Sequence, residues 1–159
     1  MKFIIDEIIE KSNESDNKLN EDQVKWIISC NTSQYDIVGA FKELKKVEWK
    51  QSTNINMNDI VFIYISKPIQ SIKYKCIATK VNLSSDGRID DSKFVIDDTN
   101  YKSNGRYMEL ELLETYNDKQ YPIELLKEYG IKSVQGPRKI SKELSNYIDD
   151  ISDNSLINE

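Results

Sequence analysis

The chain has 159 residues, 38% of them hydrophobic, with 22 basic and 27 acidic side chains, two cysteines and no histidine. That length suits one domain with a core of its own, while the lack of histidine removes His-based triads, His acid/base chemistry and most zinc sites, so neither a metal nor another cofactor is expected. The net charge of −5 is unevenly spread: residues 1–22 carry seven acids against three lysines and residues 143–159 five acids and no base, which leaves 19 basic against 15 acidic residues, +4, over 23–142. A mildly basic body between acidic ends is compatible with phosphate contact, and an ordinary soluble surface explains it nearly as well.

At the N-terminus, Phe3, Ile4, Ile5, Ile8 and Ile9 form a short helical stripe followed by a polar linker over Ser12–Lys18. Residues 1–22 therefore read as an appendage, 23–150 as the domain and 151–159 as an acidic tail. No apolar run approaches the roughly 18 residues of a membrane span, and the first residues lack the apolar region of a secretion signal, so a cytoplasmic protein away from membranes is expected. Val24–Cys30 alternates loosely and predicts the first strand, ending at the turn-prone Asn31-Thr32-Ser33. Ser33 with Asp36 resembles a capping box, and Ile37, Ala40, Phe41 and Leu44 continue at helical spacing. Val47–Ser52 reads as a polar connection that carries Trp49.

Asn54–Asp59 predicts a turn, 60–65 a buried strand ended by Pro68, and 72–81 its antiparallel partner. Residues 84–106, with Asp86-Gly87 and Asn104-Gly105 turns, read as a long solvated excursion. Tyr107–Leu113 alternates strictly, which predicts a strand with Glu109 and Glu111 on its wet side. Pro122 opens a short helix closed by Gly130, and a final helix carries Ile140, Leu144, Tyr147, Ile148 and Ile151 on one face. Cys30 and Cys76 lie within apolar strand patterns and are expected to be buried and reduced. With no βαβ periodicity, the class is α+β on a small, barrel-like antiparallel sheet.

Two constellations could carry chemistry. Asp36, Glu43 and Lys45 have the lettering of metal-dependent nucleases, yet all three fall on one predicted helix, where that chemistry is normally built on a strand hairpin. The second is aromatic: Trp49, the end of the first strand at Ser29 and Asn31, and the end of the next at Ser66 and Lys67 could converge on one rim. A stacking ring, small hydroxyls, an amide and a cation make a base pocket. Trp26 and Tyr64 stand open between core and pocket, and Asp36 between site and helix cap.

Residues 24–148 resemble an EVE domain of the PUA-like superfamily, which also includes the YTH readers of methylated adenine. The pieces that carry the resemblance are Trp26-Ile27-Ile28-Ser29, Tyr35-Asp36-Ile37, Trp49-Lys50-Gln51-Ser52, Asn58-Asp59 followed by the strand to Ser66, and Gln135–Ser141. Two departures stand out: Asn58 replaces a frequent glycine, and no histidine follows Tyr64. The resemblance implies a PUA-like barrel flanked by helices, without catalytic residues. Its pocket would draw on Trp49, Ser29, Asn31, Tyr35, Asp36, Lys50, Gln51, Ser66 and Lys67, with Arg138 and Lys139 on phosphates. It further implies a nucleic-acid partner, DNA favoured over RNA, with 5-methylcytosine or a relative flipped into the pocket, and a restriction or defence context with a partner nuclease. The alternatives are a PUA-like RNA-binding module indifferent to modification, and an enzyme that cuts or processes nucleic acid.

Overall fold

The computed structural model describes residues 23–84, 92–96 and 106–157, with side chains followed to Ile151. The helical stripe expected at Phe3–Ile9 and the two glycine turns of the long excursion lie outside the described residues. In chain order the elements are β1 (Lys25–Cys30), α1 (Ile37–Glu43), β2 (Lys46–Gln51), β3 (Ile60–Ile65), β4 (Ser71–Leu83), a 3₁₀ turn (Ser92–Phe94), β5 (Arg106–Thr115), α2 (Ile123–Glu128), β6 (Arg138–Lys139) and α3 (Lys142–Ile157). The last helix continues past residue 150, where the acidic tail was expected to begin.

The six strands form one sheet in the order β2-β5-β4-β3-β1-β6. Four of its five pairings are antiparallel, but β1 and β3 run parallel, with Trp26 opposite Val61 and Ser29 opposite Tyr64. The sheet is therefore mixed rather than purely antiparallel. The cause lies in the connection: after β1 the chain passes through α1 and places β2 at the far edge, then re-enters beside β1 in the same direction.

Side chains alternate between two cores, as the period of two along a strand requires. Trp26, Ile28 and Cys30 of β1 share one core with Val47, Val61, Ile63, Ile65, Tyr74, Cys76, Ala78, Met108 and Leu110, and with Tyr35, Ile37 and Ala40 at and in α1. Because β1 and the opposite edge strand β2 both contribute to this core, the sheet must curl around it into the expected barrel-like α+β form. The other face carries Ile27, Phe62, Tyr64 and Ile72, covered by Tyr121, Ile123 and Leu126 near α2 and by Leu144 and Ile148 of α3. Each full burial of such a side chain contributes roughly 1.5–3 kcal/mol.

Polar groups fix the ends. Asp36 caps α1 by accepting from Gly39 N at 3.0 Å, and a Cβ on Gly39 would fall 2.2 Å from the Asp36 carboxylate, so a side chain there would have to displace the cap. Asp59 is 3% exposed and ties three groups: it accepts from Val24 N, from Asn56 N and from the Trp26 indole at 3.0 Å. Beside it Asn58 adopts φ 72°, the left-handed region that asparagine tolerates, and donates its N–H to Ala78 O. Asp149 on α3 bridges Lys25 and Lys75 at 3.0 and 3.2 Å, which pins the last helix to β1 and β4. Glu109, expected on the wet side of its strand, is instead 7% exposed and accepts from the Thr79 hydroxyl at 2.7 Å. An irregular register around Thr79 on β4 accompanies that bond.

Candidate functional site

Trp49 lies inside β2, between Val47 and Gln51, rather than in a connection. Alternation puts Val47, Trp49 and Gln51 on the inner face, while Lys46 and Lys50, on the other face, made the segment look like a loop. The Trp49 ring is only partly buried and meets the Tyr35 ring edge-on, with centroids 5.3 Å apart and planes at 78°. Tyr35 is itself held in place. Its residue pairs with Val95, Asp36 N donates to Phe94 O at 2.7 Å and Ile96 N to Gln34 O at 2.8 Å, so residues 92–96 of the excursion dock against this turn through buried Phe94. Lys93 pairs with Glu43 on α1 at the same junction.

In front of Trp49 is an open cavity of about 210 Å³ lined by Ile28, Ser29, Trp49, Lys50, Ser52, Gln135, Gly136 and Pro137. That is below the roughly 300–1,000 Å³ of pockets for drug-sized ligands, a size suited to a single ring system. Three segments meet there: the end of β1, the end of β2 and the turn that leads into β6. Gly136 has no atom within 4 Å of where its Cβ would stand, so its side faces open volume.

The backbone explains why the cavity is there. Val24 and Cys30 give their carbonyls to β3, accepting from Ile60 N and Ser66 N, whereas Lys25 gives its carbonyl to Ile140 N beside β6. Peptide groups alternate sides along a strand, so those of Ile27 and Ser29 also point toward β6. Ile27 faces Arg138, the last register pair before the turn. Beyond that pair the chain bends away at Gln135–Gly136, and among the described residues no backbone bond joins Ser29 to this turn. Pro137, immediately before β6, has no N–H to give to a ladder.

Of the residues proposed from sequence, Trp49, Ser29 and Lys50 line the cavity, and Tyr35 backs the Trp49 ring. The Ser29 side chain, by alternation, is on the face of Ile27 rather than that of Trp26. The others are engaged elsewhere. Asn31 accepts from the N–H and hydroxyl of Ser33 in its own turn, which displaces Ser33 from the expected capping role, and Asp36 caps α1. Gln51 is 4% exposed and spans Thr53 O, Ile55 O and Asn82, while Ser66 and Lys67 are absent from the lining. Arg138 and Lys139 form β6 next to the cavity; both are exposed, and the Lys139 ammonium stands 5.5 Å over the Trp26 ring. Trp26 itself is core, at 7% exposure with its indole N–H bound to Asp59, and Tyr64 belongs to the helix-covered core. Sequence reasoning missed Gln135, Gly136 and Pro137 as lining residues; the Gly-Pro step was the signal available.

Electrostatics leave Cys30, at the end of β1, a neutral thiol: burial above all, then the charge of Asp36, pushes it up to about 12. Burial also raises Cys76, and it raises Tyr64, with Glu124 adding to the effect. Among the described residues no group of three or more Cys, Asp or Glu is placed to hold a metal ion, and no helix is long and apolar enough to cross a membrane.

No family model and no curated relative matches the chain by sequence. Solved structures do match in shape. An ASCH protein from Zymomonas mobilis is 11% identical with a TM-score of 0.57, over 81% of this chain and 96% of that one. The α+β fold is of the PUA-like type that these structures share. A hypothetical protein from Leishmania major shares 14% identity at a TM-score of 0.56, covering 86% of this chain and 98% of its own. Human THYN1, solved in complex with DNA containing 5-methylcytosine, shares 11% at 0.56, over 79% and 95% of the two chains. At such identities the fold is what is shared.

Proposed function

We propose that this chain is a non-enzymatic, EVE-type module that binds nucleic acid and reads one extruded base, with 5-methylcytosine or a relative in DNA as the leading ligand. The observation that carries the reading is the ring-sized cavity faced by a partly exposed tryptophan whose orientation is fixed by Tyr35. A flat aromatic wall suits stacking on a base, and stacking returns about 1–3 kcal/mol. Extruding a base costs a few kcal/mol and burying one methyl returns about 0.8. The net is small, so one domain binds weakly on its own, and a partner such as a nuclease in a restriction or defence system would supply avidity. Arg138 and Lys139 beside the opening would contact the flanking phosphates. The THYN1 complex supports the reading by showing a protein of this fold with such DNA.

The test is a binding panel of otherwise identical oligonucleotides, DNA and RNA, with and without 5-methylcytosine. Preference for the methylated DNA is expected. Equal affinity for plain RNA would replace the reading with a PUA-like RNA-binding module indifferent to modification, and cleavage of labelled DNA with magnesium, lost on changing Asp36 or Glu43, would replace it with a nuclease.

A further inference from the structure

The opened step between β1 and β6 says which edge of the ligand is read. Ser29 presents an N–H donor and a C=O acceptor side by side toward the cavity, one step beyond the pair Ile27–Arg138, and Gly136 of the turn before β6 lines the same cavity. Buried peptide groups are nearly always paired, so a ligand that fills this cavity must satisfy both or leave them desolvated. We infer that the ligand takes the place of the missing ladder pair: a ring with an acceptor beside a donor sets that edge on the Ser29 peptide, and any modification it carries lies off that edge. This rests on the cavity being a base site.

The chemistry narrows the ligand. The pairing edge of each nucleobase holds an acceptor next to a donor: N3 and the N4 amine of cytosine, N1 and the N6 amine of adenine, a carbonyl and the ring N–H of uracil and guanine. A base already paired in a duplex has this edge occupied, so the ligand is an extruded or single-stranded base. A methyl on C5 of cytosine leaves the edge free; a methyl on N3 of cytosine or N1 of adenine blocks it.

The experiment uses the full chain and short oligonucleotides that carry, at one central position, cytosine, 5-methylcytosine, 3-methylcytosine, adenine or 1-methyladenine. Each edge-blocked base should bind at least about tenfold more weakly than its edge-free counterpart, the loss expected when a buried donor and acceptor go unpaired. Equal binding of blocked and free bases would overturn the inference and leave the base site standing. Gly136→Val separates the two levels: it fills the cavity from a position with free space and should abolish binding of every base, whereas unchanged binding would remove the base site itself.

Discussion

The two tryptophans mark two ends of one device. At the start of β1, the strand is closed on both sides, by β3 and by β6, and Trp26 is sealed beneath it with its indole N–H on the buried carboxylate of Asp59. At the end of β1, β6 has peeled away, and the ring that meets the resulting gap, Trp49, is only partly buried and braced on one side by Tyr35. The same residue type is thus sealed in the core where the ladder is complete and, in the proposed reading, serves recognition where it is interrupted. Completeness of the ladder, more than composition, separates the two.

The sharpest way to break this contrast is to truncate both rings. Trp26→Ala should cost about 3–5 kcal/mol of stability, as loss of a buried tryptophan does, and Asp59→Ala should also be strongly destabilising because it frees three donors at once. Denaturant unfolding measures both. Trp49→Ala should instead cost about 1–3 kcal/mol of base binding with only a small fall in melting temperature. If Trp49→Ala unfolds the domain, or leaves binding untouched, the contrast fails.

A pH titration sharpens it from the closed side. Cys30, at 1% exposure, and Tyr74 are both pushed up to about 12, chiefly by burial, from ordinary values of 9.0 and 10.0. The folded chain then keeps protons that the unfolded chain releases, so this stabilisation is whole below pH 9 and is lost as pH rises toward 12. Melting temperature should fall over that window, and Cys30→Ala should flatten the fall. A flat profile in the natural chain would contradict the burial of these groups. The smallest effect is expected at the rim: Arg138→Gln and Lys139→Gln should each weaken DNA binding modestly and lower the salt dependence by about one counterion. No change in the salt slope would remove them from phosphate contact.

Much of the fold was legible in the chain. The alternation of 24–30 and 107–113, the continuous β-branched and aromatic run of 60–65, the helical spacing from Ile37, the proline that opens α2 and the glycine that closes it are local signals, and each survives because local preference and tertiary packing agree there. Asn58-Asp59 also read correctly as a turn, since a left-handed residue followed by a buried acceptor is a local requirement. What failed was non-local. β2 looked like a polar connection because Lys46, Glu48 and Lys50 fall on one face of an edge strand, and only pairing with β5 reveals that Val47, Trp49 and Gln51 form an inner face. Glu109 looked solvated because its partner, Thr79, is 30 residues away.

For the site, the sequence determined that an aromatic ring would stand among small polar groups, since no other tryptophan lacks apolar neighbours. It could not determine which polar groups. Asn31, Asp36 and Gln51 have side chains that could face a ligand, but each is taken by its own turn, cap or loop once the chain folds. The cavity itself is made by a strand pairing that stops one step early. Such a feature belongs to the meeting of residues 29 and 136, more than a hundred positions apart, and only tertiary structure brings them to the same cavity.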